Sequence, residues 1–536
     1  NFMLKGKEQK TGENNNSKPM GKGFFVVGCV IIYFLIVGIV SAAIHLPVAI
    51  TKISDNSEIK KAKVVLYDGP KSLKDATDAD LEKASEEKRD ISLMHCVDTK
   101  VAVNGKDCYV YDTNVNNTHT WMGDYMPAED RTPITYFDFE GKVKITVTVP
   151  NTDIEYVNIR PLKYNIKPEI NTKKHTVTFT IDTPDAYTVE FNKKVERAVH
   201  IFANEIEKDV PDKDAEGVKY IGPGEWNIED MVLEDGDTIY ISGGAVVHGA
   251  VTASFAKDVT VRGRGIIDNS NLEGWKGTSA TVPLRFDNCQ YVTVEGIISL
   301  NANAWCFQGY NSVAGDISNL KIITARPNGD GISLQSCKSF DVENCFVRTW
   351  DDSLVVKNYD VNSNNIKFKN VQVWTDLAQS MEIGYETNKG DKENSTIENV
   401  TFEDITVLHN FHKPVLSIHN ADNAAISNVT YKNIVVEDAC MGLGDGTKEL
   451  IDLQVLTNSG WSTTSDRGTI SNVTIDGFKV LYGNESLPSQ IKGFDEEHGI
   501  DGVSISGLNI KGKDIKSFED GEFEVDEDTV KNAEIK

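Results

Sequence analysis

Asn328-Gly329-Asp330-Gly331 precedes Trp350-Asp351-Asp352 by 21 and 22 residues, counted from one Asp to the next pair. In a chain that coils with a period in the low twenties, residues one coil apart stack at roughly 4.8 Å across a parallel ladder. Asp330, Asp351 and Asp352 would then converge at one corner. Neighbours on a regular strand point to opposite faces, so Asp351 and Asp352 reach a common cleft only at a bend. Crowded carboxylates repel, which raises at least one pKa and leaves a protonated group beside an ionised one. Cleavage of a glycosidic bond needs such a pair: an acid for the departing oxygen and a base for water. The same residues also suit a turn set at a coil corner, or oxygen ligation of calcium.

The elements that must position these groups are written as a repeat. Short alternating apolar runs ending in Asn or Gly recur as VTVRGRGII from Val259, VTVEGIISL from Val292, FDVENCFV from Phe340, IKFKNVQV from Ile366, VTFEDITV from Val400, VTYKNIVV from Val429, VTIDGFKV from Val473 and VSISGLNI from Val503. No helical pattern separates them, and a unit of this size cannot bury its own apolar face, so each coil stacks on the next. The pattern specifies an all-β chain whose residues 218–515 form a right-handed parallel β-helix, the catalytic domain, followed by an acidic tail at 516–536. Asn344, Asn370 and Asn433 are expected as an internal amide ladder at a coil corner. The sequons Asn399-Val-Thr401 and Asn428-Val-Thr430 read as texture of the same kind.

Residues 63–205 show period-two alternation, as in Val143–Val149 and Val177–Ile181, and read as an antiparallel β-sandwich. Val101–Val103, Asn104-Gly105 and Tyr109–Tyr111 suggest a hairpin. The charged stretch Lys71–Asp90 is expected as a helix or an insertion, and 51–62 and 206–217 as linkers. Residues 1–50 combine a lysine-rich start with an apolar run over 24–44, the pattern of a signal peptide or signal anchor, so the rest of the chain is expected outside the cell, secreted or held at the outer membrane face.

With 81 acidic against 55 basic residues the formal charge is −26, and no basic stripe reverses it. That field repels phosphate backbones, so nucleic acid is not an expected partner, and the membrane is touched only through the N-terminal segment. The eight cysteines form no CxxC pair; Cys96 and Cys108 could bridge, although buried thiols are the simpler expectation. His409, His412 and His419 fall within eleven residues, but no carboxylate or Cys stands at ligand spacing, so neither a metal nor any other cofactor is expected.

The run RPNGDGISLQSCKSFDVENCFVRTWDDSLVVK from Arg326 to Lys357, with Gly263-Arg-Gly-Ile-Ile-Asp268 before it, resembles glycoside hydrolase family 28, the polygalacturonase family. The resemblance spans roughly residues 218–510. It implies an inverting hydrolase in which Asp351 is the general acid while Asp330 and Asp352 activate water. The order of sandwich then β-helix is also similar to glycoside hydrolase family 49, the dextranase and isopullulanase family. Family 28 has Gly-His-Gly where this chain has Ala378-Gln379-Ser380, and Arg-Ile-Lys where it has Ser417-Ile418-His419. Those family bases hold a uronate carboxylate, and losing such a charge-assisted bond forfeits about 1.5–3 kcal/mol. The expected substrate is therefore a polysaccharide or oligosaccharide other than plain polygalacturonate.

Candidate substrate contacts are Asn328, Trp350, Lys357, Gln379, Glu382, Tyr385 and His419, with His409 and His412 as further subsite residues. Lys357 ends the strand on which the family also carries a Lys. Glu382 could bond sugar hydroxyls or tune the Asp pair. Trp305, Trp350, Trp374, Tyr385 and Phe411 could offer stacking faces. Two readings from other classes stand beside the hydrolase. One is a calcium-dependent polysaccharide lyase using Arg326 or Arg348 as base, and the other a noncatalytic surface adhesin.

Overall fold

The computed structural model describes residues 62–76, 92–115, 130–272, 280–441 and 449–536. The expected export segment, and most of the charged stretch Lys71–Asp90, lie outside the described residues. Among the described residues no helix is long and apolar enough to cross a membrane, and one short 3-10 turn at Leu162–Tyr164 accompanies an otherwise β chain.

The sandwich has a sheet of seven strands and one of five. Its inward side chains, among them Val101, Val103, Ile145, Val147, Val177 and Phe179, close a core of their own. Its strand pairings among the described residues are antiparallel except that Lys194–Glu205 runs parallel to Asp130–Glu140, pairing His200 with Ile134; an isolated bridge between Asp75 and His95 is also parallel. Asn104 and Gly105, with φ of 50° and 78°, form the expected tight turn, but the returning strand is Lys106–Asp107. Tyr111–Val115 instead joins the other sheet. Cys96 and Cys108 are both free thiols.

From Val218 onward thirty strands form one continuous stack, a right-handed parallel β-helix. Each coil contributes three faces. The first includes Phe307–Tyr310, Ile332–Gln335, Leu354–Lys357, Met381–Tyr385, Leu416–Asn420 and Ile451–Val455. The second includes Lys338–Glu343, Ser363–Lys369 and Thr396–Glu403, and the third Phe346–Thr349, Gln372–Thr375 and Thr406–Asn410. Alternation sends Ile332, Leu334, Leu354, Val356, Met381, Ile383, Leu416 and Ile418 of the first face into the core, each almost fully buried. Burying such a side chain is worth about 1.5–3 kcal/mol. The intervening residues of that face point outward.

Two expectations need correcting here. Residues 516–536 are not a tail: Val530–Ile535 pairs with Ile500–Ile505, and Phe523–Val525 with Ser489–Ile491, extending the stack by a further coil. The Asn ladder exists but is exposed. Asn370 donates to Asn344 at 2.7 Å and Asn433 to Asp404 at 2.6 Å, and all three Asn are left-handed, a conformation Asn tolerates at a corner. Asn365, Asn399, Asn428 and Asn472 form a second exposed ladder of the same kind, which includes both sequons.

The sandwich covers the third face of the helix. Tyr136, Ala198 and Phe202 pack with Ile323, Phe346, Trp374, Leu408 and Phe411 in a shared apolar cluster. Beside it lies a buried ionic network. Arg160 Nε donates to Glu190 at 2.6 Å and its Nη1 to Glu437 at 2.9 Å, while His409 stands between Glu190 at 2.5 Å and Asp438 at 3.0 Å.

Candidate active site

Asp351 and Asp352 lie in a bend between Phe346–Thr349 and Leu354–Lys357, which is the geometry that two adjacent carboxylates need to share a cleft. Ile332 pairs with Leu354, so Asp330 sits one coil before them at the same corner. The bend is locked by main chain. Asn328, left-handed with φ 55°, donates its N–H to Asp351 Oδ2 at 2.7 Å, and Gln379 donates its N–H to Asp352 Oδ1 at 3.0 Å. Cys306 N–H donates to the Asp330 carbonyl at 2.8 Å.

Gly331 allows the two coils to approach. A Cβ there would meet Ser353 O and Val347 Cγ1 at 2.5 Å. Gly331→Ala is therefore expected to cost about 1–3 kcal/mol in chemical denaturation and to lower turnover by displacing the bend. An Ala variant matching the parent in both measurements would contradict this.

Beneath the bend runs a ladder of hydroxyls. Thr349 donates to the Asp351 carbonyl and touches Ser353 at 2.7 Å; Ser353 touches Thr375 at 2.8 Å, Thr375 touches Ser380 at 2.7 Å, and Ser380 donates to Asn410 Oδ1 at 2.7 Å.

Burial pushes Asp330 up to about 7, with Asp351 and Glu386 adding repulsion while Lys357 opposes. Burial, then Asp351, Asp330 and Glu382, push Asp352 well above the usual carboxylate range. Both groups are therefore pushed toward the protonated form, and acids this close influence each other's titration. Lys357 is not a solvated rim residue. It is 6% exposed and lies 3.5 Å from Asp330 and 3.1 Å from Glu386, and these two acids hold its ammonium well above the usual range despite burial. Glu386 in turn is held low by Lys357 against its burial, and accepts from Tyr359 at 3.2 Å.

Glu382, His419 and Asp452 occupy the outward floor next to the cluster, all fully or nearly buried. His419 Nδ1 lies 2.9 Å from Glu382 Oε1 and its Nε2 3.0 Å from Asp452 Oδ2; Ser417 donates to Glu382 Oε2 and Tyr385 stacks on the imidazole at 4.4 Å. Against its burial the two carboxylates hold His419 up to about 10.

Of the expected residues, Asp330, Asp351, Asp352, Asn328, Lys357, Gln379, Glu382, Tyr385 and His419 belong to this neighbourhood, with Asn328 and Gln379 acting through main-chain N–H groups. Trp350, 3% exposed, is packed and presents no stacking face. Trp374, Phe411 and His409 belong to the contact with the sandwich, so these three do not line the groove, and His412 is fully buried in the corner loop whose Lys413 N–H donates to the Leu377 carbonyl.

Neither candidate lyase base is placed to act as one. Arg326 is fully buried and donates to the carbonyls of Asn269, Ser270, Asn301 and Leu272. Arg348 is fully buried on the third face against Asp376 and His200, over the Trp374 ring at 4.0 Å. Glu386 and Asp452 were not expected. Glu386 stands one coil after Lys357, an offset that could have exposed it.

Carboxylates gathered at one corner of a parallel β-helix, two of them with raised proton affinity, form a set suited to acid–base chemistry. A model of the glycosyl hydrolases family 28 matches residues 238–522, and the chain belongs to that family, the polygalacturonase family. Among curated relatives, the probable exopolygalacturonase B of Aspergillus terreus is 25% identical over 253 residues, covering 43% of this chain and 55% of its own. Endopolygalacturonase II of Aspergillus awamori is 25% identical over 200 residues, 35% of this chain and 53% of its own. The chain thus spans about half the length of the curated relatives it matches. Dex49A from Penicillium minioluteum shares the fold, with a TM-score of 0.53 at 15% identity, over 82% of this chain and 93% of that one.

Proposed function

We propose that this chain is an exported, inverting hydrolase of a neutral or only weakly acidic polysaccharide. One observation carries the substrate class: the two cations beside the carboxylate cluster, Lys357 and His419, are each enclosed by acids. Lys357 lies against Asp330 and Glu386, Lys389 is 3.9 Å from Glu386, Arg285 is 2.8 Å from Asp287, and His419 is enclosed by Glu382 and Asp452. A uronate carboxylate entering here would meet repulsion without a charge-assisted partner, while sugar hydroxyls can bond to carboxylates and amides alike.

In this reading Asp351 delivers a proton to the departing oxygen, and Asp330 and Asp352 hold the attacking water. Proton affinity is raised at Asp330 and Asp352, and both Asp351 oxygens accept main-chain N–H bonds, from Asn328 and Asp352. The shared proton must therefore pass to Asp351 when substrate covers the cluster.

A dextranase-like action on an α-glucan is the second reading, and the same enclosure of the two cations by acids favours it. Release of reducing ends is expected from neutral galactans, α-glucans or pectic side branches at least tenfold above that from polygalacturonate. Proton NMR should show the inverted anomer forming first. Fastest turnover on polygalacturonate would overturn the substrate assignment, and a retained anomer the mechanism.

A further inference from the structure

We propose that Glu382, clamped by His419 and Ser417, is a positioning residue whose fixed negative charge keeps the proton of the carboxylate cluster on Asp352. This rests on the hydrolase reading and adds to it a residue that touches none of the reacting atoms.

The placement comes from register. Val355 pairs with Glu382, Glu382 with Ser417, and Ser417 with Asp452, so these three acidic and hydroxyl side chains form one column on the outward floor. Asp352 lies three residues before Val355, and Gln379 three residues before Glu382. Because Asp352 Oδ1 accepts from Gln379 N–H, its carboxyl leans out of its own coil toward the coil that carries Glu382.

Both Glu382 oxygens are occupied by donors, Oε1 by His419 Nδ1 and Oε2 by Ser417, as suits a carboxylate. His419 faces a carboxylate at each ring nitrogen, so it is an imidazolium. Two carboxylates and one imidazolium leave one net negative charge in the floor. The chain makes room for it: a Cβ on Gly384, φ +134°, would meet the His419 carbonyl at 2.2 Å and Glu382 Oε1 at 2.9 Å.

An ion set like this is costly in a floor that apolar packing would fill more cheaply, so its retention beside the catalytic acids has a use other than stability. The charged groups facing Asp352 are Asp351, Asp330 and Glu382 on the acidic side and Lys357 on the basic side. Asp351 and Asp330 change protonation during turnover and Lys357 is shared with Glu386. Glu382 supplies a charge that stays constant through the cycle.

The test is Glu382→Gln, with Glu382→Gln/His419→Gln as a second variant that removes both charges of the pair while retaining amide hydrogen bonds. Thermal unfolding and circular dichroism establish that each is folded. Two titrations are followed: the alkaline limb of kcat/KM on whichever glycan the parent cleaves, and the Asp352 carboxyl band in infrared difference spectra, assigned with Asp352→Asn. Removing a negative neighbour makes the proton easier to lose, so both midpoints are expected to fall by about half a pH unit or more. A folded Glu382→Gln protein whose infrared midpoint and alkaline limb both match the parent overturns the proposal, even where kcat has dropped, and in the double variant, which loses a charge of each sign, both midpoints are expected to return toward the parent. An infrared midpoint that falls in a protein whose parent cleaves no glycan supports the electrostatic role and refutes only the hydrolase reading.

Discussion

Asp351→Asn is expected to leave a folded β-helix with hydrolysis reduced by about 10²–10⁴-fold or more, the span of positioned acid–base catalysis. The substitution keeps the shape and an acceptor for one of the two main-chain N–H groups, those of Asn328 and Asp352, that Asp351 receives, and it removes the proposed acid. Stability should not fall, because one negative charge leaves a crowded cluster whose members raise each other's proton affinity. Initial rates on the preferred glycan, set beside thermal unfolding, decide the matter. A well-folded Asp351→Asn protein that still turns over at a tenth of the parental rate would exclude Asp351 as the acid and move the role to Asp330 or Asp352.

The largest stability effect is expected far from the groove. Arg160 is 5% exposed and bonds to Glu190 and Glu437, thereby joining sandwich to helix. Arg160→Met strands two buried carboxylates, and removing one partner of such a set costs about 3–5 kcal/mol. Urea unfolding monitored by tryptophan fluorescence gives the value, and loss below 1 kcal/mol would show the network to be inessential.

The junction also has a pH signature. Glu190 is held down to about 2 by His409 and Arg160 against its burial, so its contribution is present above the ordinary Glu value of 4.5 and is lost as pH falls toward 2. His409 is raised above its ordinary 6.5 by Glu190 and Asp438 against burial, so its contribution is complete below 6.5 and is lost as pH rises through the higher folded value. Burial raises Glu437, whose protonated form the fold favours, and this too weakens the junction as pH rises. Glu190 and His409 together contribute most between about 4.5 and 6.5, and Glu437 pulls the optimum toward the lower end of that window.

How much of this was legible follows from what each residue depends on. The cluster could be read from spacing because the coil from Ile332 to Leu354 has no insertion, so an offset in sequence is a distance in space. Beyond it the period lengthens: Leu354 pairs with Met381, Met381 with Leu416 and Leu416 with Ile451. The added residues fall in the connecting loops, which is why Asp452 could not be linked to His419 by counting. Which of the candidate stacking and subsite residues face the groove is not readable from sequence: what covers Trp374, Phe411 and His409 is the sandwich, far away along the chain, and periodicity does not report which outward face is later covered. The last coil reads as a tail because the acidic composition of 516–536 masks the short alternation of Val530–Ile535.

The hydroxyl ladder beneath the bend has a consequence of its own. From the Asp351 carbonyl through Thr349, Ser353, Thr375 and Ser380 to Asn410 there are five contacts, and both ends only accept. Each of the four hydroxyls brings one hydrogen. Among the described residues, five contacts share four hydrogens, so one of them always goes without, and concerted rotation of the hydroxyls moves that gap along the row without breaking the backbone. The carbonyl of Asp351 can therefore gain or lose a donor while every heavy atom stays in place, which gives the bend a two-way switch of hydrogen orientation directly under Asp351.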